Sequence, residues 1–128
     1  MPTEFDWTTG PLAEGLHCYR TRQFFEAHEH WESVWLTLAE PEKSFLQSLV
    51  QVSAAFHHLR RGNRIGAISL LTRALRRLDL SPSNFCGINA AELQREARAW
   101  LHAIENSTEL PKSFPEFRII EAGLTTEE

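Results

Sequence analysis

Hydrophobic side chains recur at intervals of three and four residues along most of the chain, and polar side chains fill the positions between them. This period is that of an amphipathic α-helix, whereas the strict alternation that is typical of strands does not occur. The pattern therefore predicts an all-α fold, a single-domain helical bundle of about five helices.

Local signals predict where these helices begin and end. Pro11 favours the start of the first helix, and Gly62 favours the end of the third because glycine tolerates a positive φ beyond a helix C-terminus. Asn89, followed three residues later by Glu92, is typical of a capping box at the start of the fifth helix. The second, third and fourth helices are predicted over residues 24–39, 41–61 and 64–80.

We expect one domain over residues 1–128, with a helical core at 11–105 and a tail at 106–128 that lies extended over the bundle. Phe114, Phe117 and Ile119 would hold the tail against the core. Its last residues, 121–128, would fray, as chain termini without anchoring contacts do.

The second predicted helix carries the most informative segment, in which two His and three Glu lie among large aromatic side chains. At about 100° per residue, its core face consists of Phe24, Ala27, Trp31, Val34, Trp35 and Leu38. His28 and Glu32 lie four residues apart on the flank of that face and can contact each other. Glu29 lies further round the helix.

The third predicted helix is apolar on almost every side, which is typical of a central helix in a bundle. One polar stripe nevertheless runs along it and consists of Gln47, Gln51, Ala54, Ala55 and His58. Buried amides and imidazoles require hydrogen-bond partners, and the flank of the second helix would supply them. We therefore predict one polar cluster between the two helices, formed by His28, Glu29, Glu32, Gln47, Gln51 and His58.

Three hypotheses account for this cluster. His28 and Glu32 could hold a divalent metal ion, because an imidazole and a carboxylate four residues apart on a helix can share one. The pattern resembles the His-Glu-x-x-His zinc signature, but Glu32 stands where the second His belongs. Without a metal, His28 oriented by Glu32 would serve as a general base. The third hypothesis is a buried hydrogen-bond network that fixes the register of the helices and has no catalytic role.

Composition narrows the classes of function and the cellular location. The formal net charge is -4, which gives no global attraction to nucleic acids or anionic membranes. No apolar run approaches the roughly 20 residues needed to span a bilayer, and the N-terminus lacks the features of a secretory signal. Cys18 and Cys86 are too few for a disulfide framework or a cysteine zinc motif. We predict a cytoplasmic protein.

Arginines are concentrated between positions 60 and 77, at Arg60, Arg61, Arg64, Arg73, Arg76 and Arg77. Such a cluster can bind phosphate groups. Arg73, Arg76 and Arg77, however, lie opposite the leucine stripe of the fourth helix, as solvated residues do. We therefore do not expect a nucleic-acid partner.

The cluster residues belong to a longer pattern, Phe24-Phe25-Glu26-Ala27-His28-Glu29-x-Trp31-Glu32-x-x-Trp35. It continues through Phe45-Leu46-Gln47, Gln51, Ala54-Ala55, His58, Arg61-Gly62-Asn63 and Gly66-Ala67. This pattern resembles a small all-helical family of bacteria and archaea, the domain of unknown function 309. Ser48 stands where that family usually has Gly, and Val50 where it often has Ile. The resemblance covers about residues 12–78, implies an all-α bundle and adds Asn63 to the candidate site residues. It implies no activity.

The leading hypothesis is a small-molecule or metal-ligand site between the second and third helices, with hydrolase-like acid/base chemistry. His28 would be the base or a metal ligand, and Glu32 its orienting carboxylate or a second ligand. The ligand-binding candidates are Glu29, Gln47, Gln51, His58 and Asn63. The alternative is a non-catalytic interaction protein whose cluster is a structural lock and whose exposed Trp or Arg surfaces contact a partner. Under either hypothesis the sequence is compatible with a homo-oligomer.

Overall fold

Five helices joined by short connections form the fold, and the computed structural model describes residues 5–120. The helices are α1 (Gly10–Arg20), α2 (Phe24–Trp35), α3 (Glu42–Arg60), α4 (Arg64–Asp79) and α5 (Ala90–Asn106). Two short strands, β1 (Asn84–Phe85) and β2 (Ile88–Asn89), pair antiparallel between α4 and α5. The predicted all-α class is confirmed. Within residues 5–120, no helix combines the length and the apolar character needed to cross a membrane.

The third helix lies at the centre of the fold. It packs against both α2 and α4, while α1 packs against α2 and α5 against α4. Leu46, Leu49, Val52 and Phe56 of α3 have no exposed surface. The all-round apolar character of this helix therefore reflects neighbours on several sides, as the sequence predicted.

Close approach of α1 and α2 depends on Gly15. The indole of Trp31 is completely buried, and its Nε1 donates a hydrogen bond to the carbonyl oxygen of Leu12 at 3.2 Å. A Cβ atom at position 15 would lie 2.6 Å from Cδ1 of that indole. Only glycine leaves room for Trp31 where α1 and α2 cross. Gly15 thereby allows the two helices to pack closely at this point.

The structure differs from the sequence prediction at two places. Helix α2 ends at Trp35 rather than at residue 39, and the chain then tightens into a turn. In that turn the amide of Thr37 donates to Val34 and the amide of Leu38 to Trp35, at 2.9 and 3.1 Å. The β1–β2 hairpin was not predicted, because each strand has only two residues and carries no detectable alternation.

The segment that follows α5 lies against the bundle through aromatic side chains. Phe117 is fully buried, and the Tyr19 hydroxyl donates to the carbonyl oxygen of Pro115 at 2.8 Å. Trp100 stacks on Phe114 with ring centroids 4.9 Å apart. The predicted fraying of 121–128 lies outside the described residues, as do residues 1–4.

Candidate functional site

His28 lies on the exposed flank of α2 between two helical neighbours. Its ring stacks on Phe25, one turn earlier, with centroids 5.8 Å apart. Its Nε2 is 3.7 Å from Oε1 of Glu32, one turn later. The His28 side chain is 25% exposed and the Glu32 side chain 49%. The predicted His28–Glu32 contact is therefore present, as a loose and half-exposed pair.

A small cavity opens between this flank and the C-terminal half of α3. Its volume is about 80 Å³, and it is lined by Phe25, His28, Ala54, His57 and His58. The methyl group of Ala54 occupies little space, so the three imidazoles border one cavity. His28 and His58, which the helical wheels assigned to one cluster, are thus brought together.

His57 and Phe25 border the same cavity and were not among the predicted site residues. The wheel places His57 about 100° away from the Gln47–His58 stripe, so periodicity alone did not select it. Its ring lies 5.2 Å from that of Phe25 and 5.7 Å from that of His58. One sequence signal could have indicated His57, namely that it directly precedes His58 near the end of a helix predicted to pack against His28 of α2.

Asn63, the N-cap residue of α4, selects the tautomer of the neutral His58 ring. The Asn63 Oδ1 accepts a hydrogen bond from the Gly66 amide at 3.0 Å, so its Nδ2 must face the other way. That Nδ2 lies 3.0 Å from Nδ1 of His58. Because the amide nitrogen can only donate, Nδ1 of His58 accepts, and the proton of the neutral ring is on Nε2.

Gly66 is what allows this arrangement. A Cβ atom at position 66 would lie 2.6 Å from Nδ2 of Asn63 and 3.0 Å from its Cγ. The Asn63-x-x-Gly66 pair therefore caps α4 and orients His58 at once. Asn63 acts on His58 rather than facing the cavity itself, since it is not among the cavity-lining residues.

The opposite imidazole nitrogen lacks a partner. Nδ1 of His28 is buried and forms no hydrogen bond within the described part of the chain. The same holds for Oε1 of Gln51 and Oγ of Ser53 on α3. Buried polar atoms without partners are uncommon, and each costs about 1–3 kcal/mol. The nearest carboxylate, that of Glu32, lies on the Nε2 side, so a neutral ring with its proton on Nε2 would present Nδ1 as an acceptor.

The surroundings of His57 favour its neutral form. Partial burial lowers its pKa below the usual value, and the neighbouring His58, Arg61 and His28 lower it further, against the opposite effect of Glu26. A neutral imidazole retains a lone pair, which is the form required of a base or a ligand.

The remaining predicted residues are more dispersed. Glu29 is exposed, Gln47 is half-buried and Gln51 is buried. Within residues 5–120, no side-chain hydrogen bond joins either glutamine to α2. The structure thus groups His28, His57 and His58 around one cavity. Glu32 lies beside His28, but it and the glutamines are outside the cavity lining.

The positions of these side chains bear on the metal hypothesis. No three His, Cys, Asp or Glu side chains of the described chain converge as they would around one ion. His28 and Glu32 supply two potential ligands at a separation of 3.7 Å. Water or an outside molecule would have to complete such a site.

Comparison with known proteins identifies the segment that contains this cavity. Residues 12–70 match the family model described as "Domain of unknown function (DUF309)". An uncharacterized protein of Aquifex aeolicus (strain VF5) is 31% identical over 100 residues, which cover 77% of this chain and 29% of that protein. The chain thus spans less than a third of this relative's length. The motif and the family model agree, and residues 12–70 are similar to the family of unknown function DUF309.

Proposed function

We propose that the cavity between α2 and α3 binds a small polar molecule and that His28 acts on it as a general base. The observation that carries this proposal is that the His28 ring lines the cavity while its Nδ1 has no hydrogen-bond partner among the described residues. A lock of mutually satisfied hydrogen bonds would have paired this atom, because leaving it unpaired costs stability.

The two opposing imidazoles have complementary roles in this proposal. Glu32 beside Nε2 of His28 leaves Nδ1 free to accept a proton. His58, whose Nδ1 is occupied by Asn63, offers an Nε2–H donor. An acceptor and a donor across one cavity are suited to deprotonating a hydroxyl or water while stabilising an adjacent oxygen.

The size of the cavity limits what it admits. Water occupies about 30 Å³ in the liquid, so about 80 Å³ holds two or three waters or one small functional group. The rest of a larger ligand would extend outward past Phe25, which is 45% exposed. We infer that the cavity receives the reacting group and that the body of the ligand lies outside it.

Hydrolysis of p-nitrophenyl acetate tests this chemistry without knowledge of the natural substrate. Nδ1 would take a proton from the water that attacks the ester carbonyl, giving acetate and nitrophenol. We expect His28→Leu to lower the rate at least tenfold, since general-base catalysis typically contributes about 10²–10⁴-fold. His17→Leu is the matched control because His17 is exposed on α1, away from the cavity. Equal rates for the two variants would refute the proposal.

The metal hypothesis is addressed by adding Zn²⁺ alone to tag-free protein. Binding through His28 and Glu32 would raise the melting temperature of the wild type and of His17→Leu but not of His28→Leu. A shift of equal size in all three proteins would place the metal elsewhere. In that case His28 and Glu32 are not its ligands.

A further inference from the structure

A second, larger cleft lies beside the histidine cavity and is rich in arginine. It has a volume of about 520 Å³ at the start of α2. Its walls share Phe25 and His57 with the smaller cavity, so the two spaces lie next to each other. The additional lining includes Arg22, Arg60 and Arg61.

Contacts with the fold hold two of these arginines in place. Arg60 donates from Nη1 to the carbonyl oxygen of Arg22 at 2.6 Å, and its guanidinium lies over the ring of Phe24 at 5.8 Å. The Arg22 guanidinium lies 5.0 Å over the ring of Phe114. Aromatic faces attract guanidinium groups without neutralising their charge. The cleft is therefore preorganised rather than formed by free surface side chains.

The charges of the three arginines are not compensated. None of them forms an ion pair in the part of the chain that the structure describes, whereas Arg20, Arg98 and Arg118 each contact a carboxylate. Glu26 is the acidic residue in the cleft lining. Three cations against one carboxylate is a local excess of positive charge in a chain whose net charge is -4. Like charges repel at this range, so an oxyanion would relieve the repulsion.

The backbone at the start of α2 also favours an anion in the cleft. Gln23, the N-cap residue of α2, makes no capping hydrogen bond, and its side-chain Nε2 donates to Oγ1 of Thr21. The first-turn amides of α2 are thus left without a side-chain partner, at the positive end of the helix dipole.

We propose that this cleft binds the oxyanion group, phosphate or carboxylate, of the small molecule whose reacting group enters the histidine cavity. The inference rests on the proposed function and assigns its ligand to the anionic class. Arginine forks match the geometry of both oxyanions. Nucleic acid is disfavoured because the other arginines of the 60–77 segment lie outside the cleft, and two of them bind elsewhere in the fold. Arg64 donates to the carbonyl oxygen of Ile104, and Arg77 donates to Ser44.

Titration with inorganic phosphate at constant ionic strength tests the inference. Calorimetry and the chemical shifts of backbone amides in NMR spectra measure the binding. Arg61→Gln is the test variant because Arg61 is exposed and makes no side-chain hydrogen bond within residues 5–120. Arg73→Gln is the control, since Arg73 is equally exposed but lies on α4 outside the cleft. We expect Arg61→Gln to weaken phosphate binding about tenfold, the effect of losing one charge-assisted hydrogen bond. Arg73→Gln should match the wild type.

A parallel titration with acetate separates the two oxyanion sources. Tighter binding of acetate, again weakened by Arg61→Gln, identifies a carboxylate ligand. Absence of binding by both anions, or equal weakening by both variants, overturns the inference. Tight binding of a single-stranded oligonucleotide that both variants weaken would also overturn it, in favour of an extended nucleic-acid surface.

The two proposals fail separately. If His28→Leu loses ester hydrolysis but the wild type binds neither anion, the general-base proposal stands and the anionic-ligand inference is refuted. If anion binding depends on Arg61 but hydrolysis does not depend on His28, the anion-binding inference stands and the general-base proposal is refuted.

Discussion

Replacing His28 with leucine separates a functional histidine from a structural lock through protein stability. Leucine is close to histidine in volume and a better helix former by a few tenths of a kcal/mol. The substitution removes the buried, unpaired Nδ1, whose desolvation costs about 1–3 kcal/mol. It also removes the pair with half-exposed Glu32, which contributes no more than about 0.5 kcal/mol, and the stacking on Phe25, about 0.5–1 kcal/mol.

Summed, these effects predict that His28→Leu is as stable as the wild type or more stable by up to about 2 kcal/mol. Urea unfolding followed by circular dichroism measures the difference, with the m-value as a check that the transition remains two-state. A loss of 2 kcal/mol or more would refute the reasoning. It would mean that Nδ1 is bonded in the folded protein and that His28 belongs to a lock.

Tyr19→Phe provides the comparison for a buried polar group that does have a partner. Its hydroxyl donates to the carbonyl oxygen of Pro115 at 2.8 Å. Deleting the hydroxyl leaves that carbonyl without its donor and should cost about 1 kcal/mol. If His28→Leu raises the free energy of unfolding and Tyr19→Phe lowers it, the imidazole in the cavity is retained at a cost in stability.

Three further predictions concern the supports of the site. Gly15→Ala should lower the free energy of unfolding by about 1–3 kcal/mol through overpacking against Trp31; a variant of unchanged stability would show that the helices can separate freely. Asn63→Ala should cost about 1 kcal/mol as a lost cap, and in ¹⁵N NMR His58 should become a mixture of tautomers; a single unchanged tautomer would contradict the role of Asn63. Folding lowers the pKa of His57, so as the pH falls the unfolded state binds a proton at this histidine more readily than the folded state does. The free energy of unfolding therefore decreases as the pH falls below about 6.5. His57→Gln should reduce that decrease in unfolding experiments at several pH values, and parallel curves for the two proteins would argue against the lowered pKa.

Local signals predicted the elements wherever backbone chemistry alone decides them. Asn89 caps α5, and its side chain accepts from the Glu92 amide at 3.1 Å, as the capping box indicated. The hairpin before it depends on distant residues instead. Ile88 pairs with Ile119, and the Asn89 amide donates to the carbonyl oxygen of Arg118 at 3.0 Å. No local pattern encodes a strand of two residues that is stabilised by the tail.

The candidate site was predictable in part for a related reason. Spacing alone paired His28 with Glu32, because residues four apart on a helix share a face whatever the tertiary structure. It also placed His58 on the polar stripe of α3, which was predicted to face the His28–Glu32 flank of α2. Helical wheels do not give the rotation and offset of one helix against another, and these bring His57 rather than the glutamines to the cavity.

The amino-acid sequence by itself determined the helices, the apolar surfaces they bury and the set of ionisable residues near the α2–α3 contact, since each follows from interactions within about four residues. Tertiary packing decided which of those residues meet. Gly15 admits the Trp31 indole and thereby sets the position of α2. The Asn63 cap fixes the proton on His58. The ends of α1 and α3 bring Arg22 beside Arg60 and Arg61. These contacts join residues far apart in the chain, and side-chain volume and hydrogen-bond geometry in three dimensions select them.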